Sequence, residues 1–151
     1  MDIDNVVSQF QLWQSNVLEF SFNNNELIIA NDNDIKRVFD VDYSVIYIDE
    51  RDGFRIGAVE LTVSVTRSHN TIDNEFRLNI RLNGVYTAPN TVPLNTFQSM
   101  LELNGVTALY SLARGRVSAL SSLCYPSEPI DLPMINIARL VDEKHKNKPE
   151  E

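Results

Sequence analysis

Cysteine, histidine and glycine are scarce in this chain, and each scarcity removes a class of function. The single cysteine, Cys124, cannot form an internal disulfide, and the two histidines, His69 and His145, are too few and too widely spaced for a zinc site. Five glycines among 151 residues leave little material for phosphate-binding loops. We therefore expect no metal, no cofactor and a reducing, cytoplasmic environment.

Patterns that would indicate catalysis are also missing. The sequence has no Gly-x-Ser-x-Gly elbow and no dinucleotide fingerprint, and neither histidine belongs to a motif that pairs it with a serine or with Cys124 as a nucleophile. Cys124 lies at the apolar end of a predicted helix, where a packed small hydrophobe is the simpler interpretation. We predict that the protein is not an enzyme and has no catalytic residues.

Long apolar runs and excess positive charge are absent as well. No stretch of about 18 apolar residues could span a bilayer, and the first ten residues, MDIDNVVSQF, are acidic where a signal peptide is basic. The chain carries 13 basic and 21 acidic residues, which gives a net charge of -8. Such a surface repels phosphate backbones and anionic lipids, so we expect neither nucleic acid nor membrane insertion.

Length and composition are typical of one folded unit. With 43% hydrophobic residues in 151, the chain can bury a core without disulfides. From Val141 onward the sequence VDEKHKNKPEE is charged and poor in apolar residues. We therefore predict a single domain over residues 1–140 and a charged, disordered tail over 141–151.

Alternating apolar residues predict four consecutive strands. The third and fourth alternate regularly, whereas the second, Val41 to Asp49, is apolar on both faces, with Tyr43, Val45 and Tyr47 on one of them. The first strand, Gln9 to Phe22, places Leu18 on its apolar side and Val17 on its polar side by parity. Mostly short loops favour an antiparallel sheet with one buried face.

Two helices follow the strands, and then a segment of different character. A short helix from Thr96 to Leu103 should end at Gly105, and a long helix should run from Val106 to Leu123. Beyond it, Tyr125 to Ile137 is apolar but interrupted by prolines, which excludes a central strand. The predicted fold class is α+β, a four-stranded antiparallel sheet followed by two helices packed on one face.

Several stretches in this order resemble the SecB family of protein-export chaperones. The first strand carries Phe10-Gln11-Leu12 and then Glu19-Phe20-Ser21-Phe22, and the fourth ends in Asn83-Gly84-Val85-Tyr86. The long helix contains Ala113-Arg114, and the final segment contains Ile130-Asp131-Leu132 and Ile135-Asn136-Ile137. The resemblance extends from about Phe10 to Ile137. It implies a SecB-like fold that assembles as a homotetramer, a dimer of dimers.

The resemblance also implies a function and its residues. An ATP-independent holdase would bind unfolded client polypeptides in apolar grooves between the sheet and the final segment, for protein export and translocation or for protection of one client. Acidic charge around the grooves would favour basic clients. The client-binding candidates are Val38, Phe39, Tyr43, Val45, Tyr47, Tyr125, Ile130, Leu132, Met134 and Ile135. The oligomer-interface candidates are Leu109, Tyr110, Ala113, Val117 and Leu120.

The outer face of the sheet leaves the partner open. In the family this face is acidic and docks the SecA motor, for which Glu19 is the candidate here. However, Asn23 and Asn79 replace expected carboxylates, and Arg77 and Arg81 add positive charge. The alternative is an interaction scaffold or a dedicated partner of one protein, such as an antitoxin-protecting SecB-like chaperone of a toxin-antitoxin system without a general export function.

Overall fold

The structure is a computed structural model and describes residues 8–25, 35–69, 75–124 and 129–147. Four strands come first and helices follow. The strands are β1 (Gln11–Asn24), β2 (Ile35–Arg51), β3 (Phe54–His69) and β4 (Glu75–Pro89). The helices are α1 (Leu94–Met100), a π-helical turn (Leu101–Gly105), α2 (Val106–Cys124) and α3 (Ile137–Lys146).

The strands form one antiparallel sheet in the order β1-β4-β3-β2. Alternation in β3 and β4 places their apolar rows on one face, and the prediction for these two strands is confirmed. Asp52 and Gly53 both have positive φ and connect β2 to β3 in a two-residue turn. The α+β fold class, a four-stranded antiparallel sheet followed by helices, is therefore as predicted.

Strand β1 departs from the simple parity of its sequence. Its pairing with β4 shifts register between Leu12 and Gln14 and again between Val17 and Glu19. Each bulge adds one residue and reverses the faces of those that follow. As a result Val17 lies opposite Leu82 on the helix-covered face, although parity placed it on the polar side, and Leu18 is the extra residue of the second bulge.

Strand β2 is longer than predicted and is also bulged. The piece from Ile35 to Asp40, which precedes the predicted start of the strand at Val41, pairs with β3 and belongs to the strand. A register shift between Val45 and Tyr47 moves Tyr47 to the outer face, opposite Ala58. The prediction that Tyr47 shares a face with Tyr43 and Val45 is therefore wrong.

The helices α1 and α2 join without a break. Gly105 does not end a helix, because the π-helical turn carries the chain directly into α2. The buried hydroxyl of Tyr86 donates a hydrogen bond to the Gly105 carbonyl at 2.7 Å. This bond fixes the π-helical turn against the sheet, since it joins β4 to the start of α2. Within the described ranges, no helix combines the length and the apolar character needed to cross a bilayer.

A third helix replaces part of the predicted tail. Asn136 caps the start of helix α3, because its side chain accepts a hydrogen bond from the Arg139 amide at 3.0 Å. Ile137 and Val141 lie one turn apart and both enter the core. The expectation of a disordered tail from Val141 is wrong for the described residues up to Asn147, because the buried side of α3 holds the helix on the domain.

Candidate functional site

Residues 129–136, here called the proline segment, cross one end of the helix-covered sheet face without regular secondary structure. Side chains of α2 hold its backbone. The Ile130 amide donates to the Ser121 hydroxyl at 2.8 Å, and the Arg114 guanidinium donates to the Leu132 carbonyl at 3.0 Å. The prediction that prolines keep this segment out of the sheet is confirmed for the described residues.

Tyr110 provides a further anchor for the proline segment. Its hydroxyl donates to the Pro133 carbonyl at 2.7 Å, and its ring packs edge-on against Phe39 with centroids 6.5 Å apart. Burial raises the pKa of the Tyr110 hydroxyl above its usual value, an effect that the Arg114 guanidinium partly opposes. The hydroxyl therefore remains a hydrogen-bond donor at neutral pH.

A groove of about 550 Å³ opens between the proline segment and the ends of β2, β3 and β4. Phe39, Val65 and Phe76 contribute one apolar residue from each of the three strands. This volume falls in the range of sites that enclose ligands of several rotatable groups. The described residues that line it are Arg37, Val38, Phe39, Val65, Arg67, Phe76, Pro129, Ile130, Asp131, Leu132 and Pro133.

One side of the groove is an edge of the sheet. Strand β2 is last in the strand order, so among the described residues one side of its backbone is unpaired near Val38 and Phe39. An unpaired edge offers main-chain hydrogen bonds to an extended peptide. The groove thus combines apolar side-chain contacts with a backbone that can pair.

A separate pocket of about 460 Å³ lies between β2 and α3, and its lining includes Tyr43 and Val45. Burial, with smaller contributions from the Glu102 and Asp42 carboxylates, raises the pKa of Tyr43 to about 12. Lys144 of α3 contacts the Asp42 carboxylate and the Tyr43 carbonyl. These contacts fix α3 over β2.

The opposite face of the sheet carries another apolar depression, of about 890 Å³. Trp13 is 70% exposed because it is the extra residue of the first β1 bulge. Phe54 and Tyr47 complete the aromatic lining. This depression lies on the opposite face of the sheet from the groove, so the two are separate candidate binding sites.

The ten predicted client-binding residues therefore do not form one site. Four of them, Val38, Phe39, Ile130 and Leu132, line the groove, although Leu132 is only 2% exposed. The other described candidates, Tyr43, Val45, Tyr47, Met134 and Ile135, lie outside the groove lining, whereas Tyr125 is outside the described residues.

The predicted interface residues of α2 face the sheet of their own chain. Leu109, Ala113 and Val117 are fully buried, Tyr110 is nearly so, and Leu120 is partly covered. The broad apolar stripe is thus used within the chain, and it does not by itself require a second subunit. The outward stripe of α2 contains Ser111, Gly115, Ala119 and Leu123.

Glu19, the candidate for motor docking, lies on the outer sheet face opposite Arg81. Its carboxylate is 3.7 Å from the Arg81 guanidinium, which also contacts Glu60 at 3.3 Å. These three side chains are partly exposed, so the pairs are weak individually. They nevertheless reduce the net negative charge that this face presents.

The sequence did not predict the roles of two arginines, Arg67 in the groove lining and Arg114 in holding the proline segment. Arg67 continues the inward row of β3 (Val59, Leu61, Val63, Val65), so extending the alternation by one more step would have found it. Arg114, which entered the sequence-based prediction only in the Ala113-Arg114 pair of the resemblance, holds the proline segment. No local sequence signal identifies that role, because its partner is a carbonyl 18 residues away.

Comparison with known proteins gives a match in structure and none in sequence. No family model and no curated protein matches the chain. Among solved structures, the Mycobacterium tuberculosis SecB-like chaperone Rv1957, in complex with a ChAD peptide from the HigA1 antitoxin, matches with a TM-score of 0.59. The match covers 84% of this chain and 91% of that chain at 11% identity.

A protein of unknown function from Streptococcus agalactiae also matches, with a TM-score of 0.43 and 11% identity, over 83% of this chain and 97% of that chain. The match to Rv1957 shows that this chain has the fold of a SecB-like chaperone, as its sequence predicts. At this level of identity the likeness concerns the fold, and function depends on the residues of the site.

Proposed function

We propose that this protein is an ATP-independent holdase that binds unfolded polypeptide segments in the groove beneath the proline segment. The observation that carries the proposal is the groove itself. An apolar floor and an unpaired strand edge meet under a segment whose backbone is held by α2 side chains. The likeness to a SecB-like chaperone solved with an antitoxin peptide supports it.

The groove chemistry suits binding without a covalent step. Apolar side chains of a client would pack on Phe39, Val65 and Phe76, while its backbone pairs with the edge of β2. Main-chain pairing tolerates many sequences, which a holdase needs. The proposal includes no catalysis and no cofactor, and it places the protein in the cytoplasm.

A dedicated partner is the second candidate function. The neighbour Rv1957 was solved with a peptide from an antitoxin, which favours protection of a single labile client such as an antitoxin. Export through a SecA-type motor receives less support, because Arg81 lies against Glu19 on the outer face. A pull-down separates the candidates: many unfolded clients indicate a general holdase, and one protein at fixed stoichiometry indicates a dedicated partner.

Assembly as a tetramer belongs to the proposal. Because the apolar stripe of α2 is buried on its own sheet, a second subunit would have to use the outward stripe of Ser111, Gly115, Ala119 and Leu123. Leu123, the last residue of that stripe, is 78% exposed, so such a contact would cover apolar surface. Light scattering at micromolar concentration tests this part, and a monomer would contradict it.

Suppression of aggregation tests the holdase. We would mix stoichiometric protein with a chemically unfolded client and follow turbidity during dilution. Ile130→Ser removes a partly buried apolar side chain from the proline segment above the groove, and Leu94→Ser removes an apolar side chain from the start of α1, outside the groove lining. We expect the wild type and Leu94→Ser to delay aggregation and Ile130→Ser to do so less. A wild type that suppresses no client would refute the proposal.

A further inference from the structure

Lys144 of α3 extends around the edge of β2. Its ammonium contacts the carboxylate of Asp42, which lies on the outer face of the sheet because it alternates with the buried Tyr43. The same ammonium lies 4.9 Å from the centroid of the Tyr43 ring on the helix-covered face, and it contacts the Tyr43 carbonyl. The Lys144 ammonium is therefore located at the edge itself, between the two faces.

Both backbone groups of Tyr43 have partners outside the pairing of β2 with β3. The Tyr43 amide donates a hydrogen bond to the Asp42 carboxylate at 2.8 Å, and the Tyr43 carbonyl accepts one from Lys144. In an antiparallel pair, residues alternate between those whose backbone groups face the partner strand and those whose groups face away from it. Tyr43 is of the second kind, so its amide and carbonyl point to the open side of β2.

The same backbone orientation recurs beside the groove. The β2–β3 register has no shift from Ile35 to Val45, so every second residue before Tyr43 also turns its amide and carbonyl to the open side. These residues are Arg37, Phe39 and Val41. Among the described residues, β2 is thus unpaired at these three positions and covered by Lys144 at Tyr43.

We propose that Lys144 limits strand addition at the β2 edge, so that a client pairs with Arg37, Phe39 and Val41 and stops before Tyr43. The inference rests on the proposed function and specifies the length and register of the client segment that the groove accepts. Lysine at an exposed sheet edge is one of the means by which natural proteins prevent further strands from pairing. Here the lysine closes one part of the edge and leaves the part beside the groove open.

The packing of α3 fixes the position of Lys144. Val141 is buried one turn before it, and the neighbouring His145 contacts the Glu102 carboxylate at 2.9 Å. A purely structural role for Lys144 is the alternative to the proposal. If Lys144 only anchors α3, removing its side chain should loosen that helix and leave the length of the bound client segment unchanged.

Labelled peptides of two lengths test the inference on the full-length protein. Both alternate valine and threonine and carry one lysine at each end. One has about seven residues, enough to cover Arg37 to Val41, and the other has about eleven, enough to pass Tyr43. Fluorescence anisotropy gives each dissociation constant. In the wild type we expect the two constants to agree within about twofold, because pairing stops before Tyr43.

Variants assign this limit to one side chain. In Lys144→Ala the longer peptide should bind roughly threefold to tenfold more tightly than the shorter one, because the Tyr43 carbonyl becomes available for a main-chain hydrogen bond. Lys146→Ala is the matched control, since Lys146 is an exposed residue at the end of the same helix, and it should behave as the wild type does. Circular dichroism melts check that each variant folds.

Amide hydrogen exchange provides a readout that anchoring of α3 would not change. In the free protein the amides of Phe39 and Val41 should exchange faster than the amide of Asp40, which faces β3. Either peptide should protect Phe39 and Val41 in the wild type and leave Tyr43 unchanged. In Lys144→Ala the longer peptide should protect Tyr43 as well.

The outcomes separate this inference from the holdase proposal. Protection of Tyr43 by the longer peptide in the wild type would overturn the limit set by Lys144 and leave the holdase intact, and this test holds even if Lys144→Ala is unstable. A folded Lys144→Ala that binds both peptides equally would also overturn it. Binding without protection of Phe39 and Val41, or client protection without peptide binding, would overturn strand addition at this edge. If no peptide binds and no client is protected from aggregation, both proposals fail together.

Discussion

Gly57 and Gly115 allow one substitution to be tested in two opposite environments. Gly57 lies in β3 directly under the first helices, where an added Cβ would come within 2.5 Å of Leu101 Cδ1 and 3.0 Å of Phe97 Cε1. Leu101 and Phe97 are fully buried, so neither can move without displacing its own neighbours. The glycine permits close helix packing, and the strand shows no register shift there.

Two opposing effects determine how much Gly57→Ala changes the free energy of unfolding. Overpacking of a tight core costs typically about 1–3 kcal/mol, whereas replacing glycine lowers the entropy of the unfolded chain and recovers about 0.4–1 kcal/mol. We therefore expect a net loss of about 1–2 kcal/mol in the free energy of unfolding. A variant as stable as the wild type would show that α1 and the π-helical turn are held less tightly than their burial indicates.

Gly115→Ala should have the opposite effect. Gly115 is exposed within α2, and no atom lies within 4 Å of the position of an added Cβ. Alanine is favoured over glycine in a helix by about 1 kcal/mol, which corresponds to about 2–4 °C in the melting temperature at this chain length. If α2 packs closely on another subunit at Gly115, the same substitution would instead weaken association.

Urea unfolding and light scattering together distinguish these cases. Each variant is measured at two protein concentrations, since the stability of an oligomer depends on concentration and that of a monomer does not. A rise in stability with unchanged mass supports a solvent-facing Gly115. A loss of mass in Gly115→Ala supports a subunit contact, and a loss of stability without a change in mass would refute both interpretations.

Three further predictions concern the proline segment, the pocket between β2 and α3, and α3 itself. Tyr110→Phe removes the hydrogen bond to Pro133 and should cost about 1 kcal/mol and speed hydrogen exchange in the proline segment, while Tyr47→Phe, on the exposed outer face, should do neither. The pKa of Tyr43 is about 12 in the folded protein and 10.0 when unfolded, so the unfolded state loses this proton first and the free energy of unfolding falls as pH rises from 10 to 12. Tyr43→Phe should reduce that fall, which urea titrations at pH 8 and pH 11 would measure. Val141→Ala should cost roughly 1–3 kcal/mol in urea unfolding, whereas no effect would indicate that α3 is not packed.

The regular part of the sheet could be predicted because its signal is local. Strands β3 and β4 alternate without interruption, so Leu61, Val63, Leu78 and Ile80 identify the buried face directly. The bulges of β1 and β2 could not be located in the same way. A bulge is an extra residue relative to a partner strand, and a single sequence does not show which residue of that partner it opposes.

Helix α3 was missed although its signals were present. Ile137, Leu140 and Val141 have helical spacing, Asn136 provides an N-cap, and three basic residues occupy the last turn. The low apolar content of the tail outweighed them in the prediction. A single buried stripe suffices for a helix that covers an existing core, so average composition is a poor guide for such an element.

The sequence predicted that the proline segment lies over the sheet, but it did not predict that two arginines line the groove between them. The position of the proline segment over the sheet follows from its apolar residues and prolines, which the SecB-like order of elements places after the long helix. Arg37 and Arg67 lie 30 positions apart and come together only through the β2–β3 register. A net charge of -8 describes the whole surface and not one groove within it.

The proline segment explains how the groove stays available. An apolar stretch beside an unpaired strand edge would ordinarily add itself to the sheet and fill the site. Here Pro129 and Pro133 have no amide hydrogen, the Ile130 amide is bound by Ser121, and the Leu132 and Pro133 carbonyls are bound by Arg114 and Tyr110. Since α2 binds these backbone groups, the segment can cover the groove while the edge of β2, unpaired among the described residues, stays available to another chain.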